Sequence, residues 1–125
     1  MREAVTSEHA PRPFGPYSQA VVHGDVVYVA GQGPVNPATR EIERGDIGAQ
    51  TRRTLQNIGA ILEAAGSSLD KVLRCTVYLK DIDDFAAMNA VYAQAFNPPY
   101  PARTTIQAAA LPEGIGVEID CIARR

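Results

Sequence analysis

Between Ile47 and Ala65 the less polar side chains Ile47, Thr51, Thr54, Leu55, Ile58, Ile61, Leu62 and Ala65 recur every three or four positions, the repeat of one helix face. Arg52, Arg53, Gln56 and Glu63 fall on the other side. Asp46 can cap the free amides of the first turn, and Gly66 can take the left-handed backbone that ends a helix, so the element is bracketed at both ends. A helix with one apolar stripe has to bury it, and the flanking segments must supply the surface.

Those segments have strand periodicity. Tyr17 to Val22 and Val26 to Ala30 flank His23-Gly24-Asp25, a connector suited to a hairpin. Leu73, Cys75, Val77 and Leu79 alternate with Arg74, Thr76, Tyr78 and Lys80, the period of a half-buried strand. A second helix is expected after it, with Ile82, Phe85, Asn89, Tyr92 and Phe96 on one stripe. Asn97-Pro98-Pro99-Tyr100-Pro101 ends that helix, because proline has no amide donor and restricts the residue before it. Arg103 to Ala109 and Ile115 to Ala123 follow as strands. The order β-β-α-β-α-β-β predicts an α+β domain spanning residues 1–125, with both helices on one face of a mixed sheet. The other face is left for water or a second subunit, and a chain this small commonly builds its pocket where subunits meet.

Composition narrows the chemistry. A formal net charge of −2 does not supply the field that grips a phosphate backbone, so nucleic acid is not the expected partner. No apolar run reaches the roughly 18 residues of a membrane span, and the expectation is a cytoplasmic protein with no membrane partner. Cys75 and Cys121 sit in strand patterns as small hydrophobes, and His9 and His23 stand in turn-like surroundings, so no metal site is expected. Phosphate-loop, nucleophile-elbow and zinc-helix motifs are absent.

Gly31-Gln32-Gly33-Pro34-Val35-Asn36-Pro37 reads as an ordered loop with unusual backbone angles. If the last two strands form a hairpin about residues 111–114, Gln107 lies opposite Glu118, Thr105 opposite Asp120 and Arg103 opposite Ile122. One face then gathers Arg103, Thr105, Gln107, Glu118 and Asp120, and the other Thr104, Ile106, Ala108, Val117, Ile119 and Cys121. A guanidinium suits a carboxylate ligand, and a neighbouring glutamate can position water. By spacing alone such a pair is more often a solvated ion pair that contributes little.

Several blocks together carry a resemblance. Gly15-Pro16-Tyr17-Ser18-Gln19-Ala20, the 31–37 loop, Val77-Tyr78-Leu79-Lys80-Asp81 with Phe85 and Asn89, Pro101-Ala102-Arg103, and Val117-Glu118-Ile119 stand in the order and spacing of the Rid (YjgF-like, RidA-type) family. The resemblance implies a chorismate-mutase-like fold, a homotrimer with clefts between subunits, no cofactor, and hydrolysis of small 2-imino or enamino acids to 2-keto acids and ammonia. By the same resemblance Arg103 would bind the substrate carboxylate and Glu118 would place the attacking water. The main chain at Gly31 and around Thr105 would contact the substrate, and Tyr17 and Asn89 would line the cleft. Ala30 and Thr105 depart from the hydroxyl and cysteine that well-known deaminases often carry there. A pathway-specific aminoacrylate- or aminomuconate-type deaminase, a non-catalytic carboxylate-binding trimer and RNA cleavage are the competing readings.

Overall fold

The computed structural model describes residues 1–125. Six strands, β1 (Glu3–Val5), β2 (Ala20–His23), β3 (Val26–Gln32), β4 (Val72–Leu79), β5 (Ala102–Gln107) and β6 (Val117–Arg124), alternate with helices α1 (Ile47–Ala64) and α2 (Phe85–Ala95). They form one mixed sheet in the order β1-β2-β3-β6-β4-β5, in which β4 and β5 run parallel and every other pairing is antiparallel. The expected α+β architecture is present, with one short amino-terminal strand added at the edge.

Helix α1 follows its sequence pattern. Asp46 Oδ1 accepts the Ala49 amide at 2.8 Å, and Gly66 takes φ +80° just past the helix end. Ile58, Ile61 and Leu62 are fully buried against the sheet, each worth about 1.5–3 kcal/mol of removed apolar surface. Thr51 and Thr54 are also fully buried. They donate their hydroxyls back to the carbonyls of Ile47 and Gln50 at 2.7 and 2.9 Å, so their polar atoms carry no desolvation debt.

Two expectations are corrected. The stripe of α2 is Met88, Tyr92 and Phe96, all buried, whereas Ile82 and Phe85 are exposed, because the helix begins only at Phe85 and Ile82 belongs to a preceding 3-10 turn. In β4 a register shift between Val72 and Arg74 throws Leu73 out to solvent, and Val72 takes the buried place instead.

The larger correction concerns the carboxyl-terminal strands. β5 and β6 are not a hairpin, since β4 lies between them. The β4-α2-β5 segment is a crossover unit, and a helical crossover returns the next strand parallel to the first. The chain then crosses the end of β4, where the Ala108 amide donates to Leu79 O and the Lys80 amide to Gly116 O, both at 2.9 Å. Arg103 aligns with Cys75 and through it with Cys121, and Thr105 aligns with Val77 and Ile119. The faces therefore differ by one residue from the hairpin expectation. Arg103, Thr105 and Gln107 belong to the helix-covered face, and Glu118 and Asp120 to the open face with Tyr78 and Ile106.

Candidate functional site

The predicted site residues fall into two groups within one chain. Tyr17, Gly31 and Glu118 line one cavity of about 290 Å³ at the open side of the sheet. Arg103 and Asn89 line a shallower recess of about 440 Å³ at the β5 edge, with Tyr92, Ala93, Tyr100 and Pro101. Thr105 stands two residues from Arg103 on the same side of β5. The expected meeting of Arg103 and Glu118 on one sheet face does not occur, because strand alternation and the intervening β4 send them to opposite faces.

The Glu118 group is built by close packing. Gly31 sits in the bulge where the β3–β6 register shifts, and a Cβ there would lie 3.0 Å from Glu118 Cδ and 3.3 Å from Cγ, with the carboxylate oxygen nearer still. Only glycine lets this carboxylate lie against the β3 backbone. Burial raises the Glu118 pKa above the ordinary carboxylate range, and the neighbouring Asp120 charge raises it further. Asp120 in turn accepts a hydrogen bond from the Tyr78 hydroxyl at 2.9 Å.

Two buried amides that the sequence pattern did not single out as structural posts hold the surrounding loops. Asn57, fully buried in α1, donates to Gly33 O at 3.2 Å and to Val35 O at 2.8 Å, which fixes the 31–35 loop. Gln19 accepts from the Ser7 amide at 2.6 Å and reaches the carbonyls of Ala10 and Pro11 at 3.3 and 2.9 Å, which ties down the segment leading to Tyr17. Tyr17 lies in a loop rather than in β2, and its hydroxyl accepts the Phe14 amide at 3.1 Å.

The Arg103 group has a different construction. The guanidinium carbon lies 4.6 Å from the Tyr92 ring centroid and 5.5 Å from that of Phe85, so two aromatic faces support the cation. Tyr92 is itself held against Phe96, with centroids 4.7 Å apart. Asn89 Oδ1, Tyr92 Oη and Thr105 Oγ1 are buried with no hydrogen-bond partner. Asn89 and Tyr92 line the same recess as Arg103, and a buried polar atom left without a partner is costly, which leaves Asn89 Oδ1 free to meet a ligand or a neighbouring chain. Tyr92 was recognisable only as part of a helix stripe, since nothing in the sequence brings it under Arg103. Below Arg103, Cys75 and Cys121 are directly opposed, and burial raises both thiol pKa values, as expected for inert packing groups.

With the fold and these two groups of residues on the page, the class is an α+β domain that packs two helices on one face of a mixed six-stranded sheet. The family described as endoribonuclease L-PSP matches residues 7–125. A RutC family protein of Pyrococcus horikoshii is 52% identical over 123 residues, covering 98% of each chain. The crystal structure of RidA from an Antarctic Psychrobacter superposes with TM-score 0.95 at 43% identity, covering 98% of this chain and 99% of that one. E. coli TdcF with bound serine superposes with TM-score 0.92 at 39% identity, covering 98% of both. The chain belongs to the Rid, or YjgF/L-PSP, family. No helix is long and apolar enough to cross a membrane.

Proposed function

We propose that this chain is a cytoplasmic hydrolase that deaminates reactive 2-imino or enamino acids to 2-keto acids and ammonia, of the 2-iminobutanoate/2-iminopropanoate deaminase type. In this reading it works as a homotrimer in which the Arg103 half of one subunit closes over the Glu118 half of the next. The observation that carries the reading is an aromatic-backed guanidinium, in a recess it shares with Asn89 and Tyr92, together with a separate cavity holding a carboxylate of raised basicity. Exposed Tyr28 and Ile106 on the open sheet face support burial of that face in an assembly.

Arg103 binds the substrate carboxylate through its planar fork. Ionised Glu118 takes a proton from water as the water oxygen bonds to the carbon of the protonated imine and the C=N π pair moves onto nitrogen. Protonated Glu118 then gives that proton to the amino nitrogen, the adduct's hydroxyl proton passes to the Glu118 carboxylate as the C=O forms and the C–N bond breaks, and the released ammonia carries that proton away as ammonium, leaving the keto acid. A carboxylate whose pKa lies above the usual range is the better base near neutrality. Imines hydrolyse unaided in water, so orientation and a positioned base are enough, and no cofactor enters the scheme. That TdcF holds serine is in keeping with a small amino-acid-like ligand. RNA cleavage draws less support, given the net charge of −2.

The test is the rate of ammonia and keto-acid release from freshly generated 2-iminopropanoate. The natural protein should accelerate it, and Arg103→Ala should abolish the acceleration. Binding of small carboxylates with no acceleration for any imine would replace this reading with the non-catalytic trimer.

A further inference from the structure

The alternation of β6 places two carboxylates on one sheet face. Val117, Ile119, Cys121 and Ala123 are buried on the helix-covered side, and Glu118 and Asp120 alternate with them toward the open side. Residues two positions apart on one face of a strand stand about 7 Å from each other, and like charges at that spacing repel. The hydrolysis scheme uses Glu118 and leaves Asp120 without a part.

Strand β4 ties the pair together. Tyr78 is aligned with Glu118, and Thr76 with Asp120, so Tyr78 flanks Glu118 from the neighbouring strand. Its hydroxyl nevertheless reaches diagonally and donates to Asp120 Oδ2 at 2.9 Å. That bond draws the Asp120 carboxylate toward the level of Glu118. The Tyr78 phenol holds its own proton more firmly than usual, because of the bond to Asp120 first, then burial, then the charges of Asp120 and Glu118. One hydroxyl is therefore under the influence of both carboxylates.

The remaining charged groups of this face are directed elsewhere. Arg74 donates to Thr104 Oγ1 at 3.1 Å on the β5 side, Arg124 stands at the far end of β6, and Lys80 is exposed past the end of β4. From β3, Gly31 brings only backbone against Glu118, and Tyr28 is aligned with Ile122. Arg12, Tyr17 and Glu113 share the cavity wall with Glu118. Burial first, and then Asp120, raise the Glu118 proton affinity. In the proposed assembly a neighbour's Arg103 would act in the opposite sense.

We infer that Asp120, held in place by Tyr78, is a positioning residue that acts through Glu118, keeping a negative charge beside it and so setting the pH range in which Glu118 serves as the base. The inference rests on the hydrolase reading above and adds the residue that tunes its base. Glu118 alone touches the attacking water, and Asp120 governs how firmly Glu118 holds the proton it takes.

The experiment follows the Glu118 carboxyl carbon by NMR across pH in protein labelled at glutamate, with Glu118→Gln assigning the signal, and measures the pH profile of kcat/KM for 2-iminopropanoate generated in situ by an amino-acid oxidase. Asparagine is isosteric with aspartate and keeps an oxygen for the Tyr78 hydroxyl, so Asp120→Asn removes the charge and leaves the packing. The Glu118 midpoint should move to lower pH, its proton affinity falling about threefold, the effect of one charge about 7 Å away at the dielectric constant of water. Relative to its plateau, kcat/KM should rise about threefold on the acid limb. The plateau itself should fall about twofold, because a less basic carboxylate takes a proton from water less readily. A structural defect lowers the whole profile and produces no such displacement of the limb. Tyr78→Phe frees Asp120 to turn into solvent and should shift the midpoint the same way by a smaller amount. Coincident Glu118 midpoints in the natural protein and Asp120→Asn would overturn the inference and leave the hydrolase reading standing, and an unmoved midpoint in Tyr78→Phe would remove Tyr78 from it. A moved midpoint with an unmoved acid limb would overturn the role in the reaction. If the natural protein accelerates no imine, the hydrolase reading itself falls, and the role of Asp120 in it falls too.

Discussion

The two halves of the site solve opposite electrostatic problems. At the β5 edge a cation is supported by aromatic faces, Tyr92 at 4.6 Å and Phe85 at 5.5 Å. On the open side of β6 an anion is packed against the backbone of Gly31, and burial makes it reluctant to ionise. Strand alternation keeps them on opposite faces of one sheet, so they can meet only across a boundary between two copies of the chain. On the proposed reading this division ties activity to assembly, because Glu118 and Arg103 of one chain line separate recesses.

The sharpest way to break that comparison is subunit mixing. Arg103→Ala and Glu118→Ala should each cost a hundredfold or more in kcat/KM, roughly the loss of one buried charge-assisted partner. When equal amounts of the two variants are unfolded and refolded together, about a quarter of the clefts in a random ring combine an intact Arg103 with an intact Glu118. Activity should therefore return to about a quarter of the natural value. Mixed samples as inactive as their components would mean that the halves do not meet across subunits.

A smaller effect is expected behind the arginine. Tyr92→Leu removes the ring nearest the guanidinium, and Tyr92→Phe keeps the ring but removes the hydroxyl. If Tyr92 positions Arg103, the leucine variant should raise KM about tenfold with a lesser change in kcat, and phenylalanine should restore most of the affinity. Equal losses in both, or losses that follow thermal stability alone, would make Tyr92 a packing residue only. The Glu118 half should be indifferent to either change in its own pH response, which separates the two regions experimentally.

How much of this was legible beforehand differs between the same two regions. The α1 boundaries, its buried threonines and the 31–37 loop follow from local rules, because caps, stripes and glycine-proline punctuation act over a few residues. The placement of Arg103 was not legible from periodicity. A short connection between two strand-like segments reads as a hairpin, and only the β4-α2-β5 crossover, a long-range choice, inserts a strand between them. One intervening strand reversed every face assignment made for β5 relative to β6. Asn57 escaped notice for a related reason. It lies within an apolar helix pattern, and its partners Gly33 and Val35 are more than twenty residues earlier in the chain. Tyr17, Gly31 and Asn89 were singled out through the ordered blocks shared with the family, and the fold places the first two in one cavity and the third in another, whereas Tyr92 and Gln19 gain a place only from the fold.

The subtlest contrast lies in the pH dependence of stability. Glu118 has a pKa raised above its ordinary value of 4.5, so the folded chain holds that proton more tightly than the unfolded chain does. Its favourable contribution is complete below the unfolded pKa and is lost as pH rises through the folded one, which leaves a penalty at neutrality. Glu118→Gln removes the ionisation and should raise Tm at pH 7, with the gain shrinking toward zero as pH falls below the ordinary glutamate range. Arg103→Ala should show no such window between pH 4 and 8, since a guanidinium stays charged throughout. In the proposed assembly a neighbour's Arg103 would face Glu118 and favour its ionised form, so on that reading the Glu118→Gln gain should diminish at protein concentrations where the oligomer is full. Scanning calorimetry over pH and concentration reads both effects. A gain that persists unchanged at pH 4 would assign it to packing against Gly31, and a gain independent of concentration would place the partner's guanidinium away from this carboxylate.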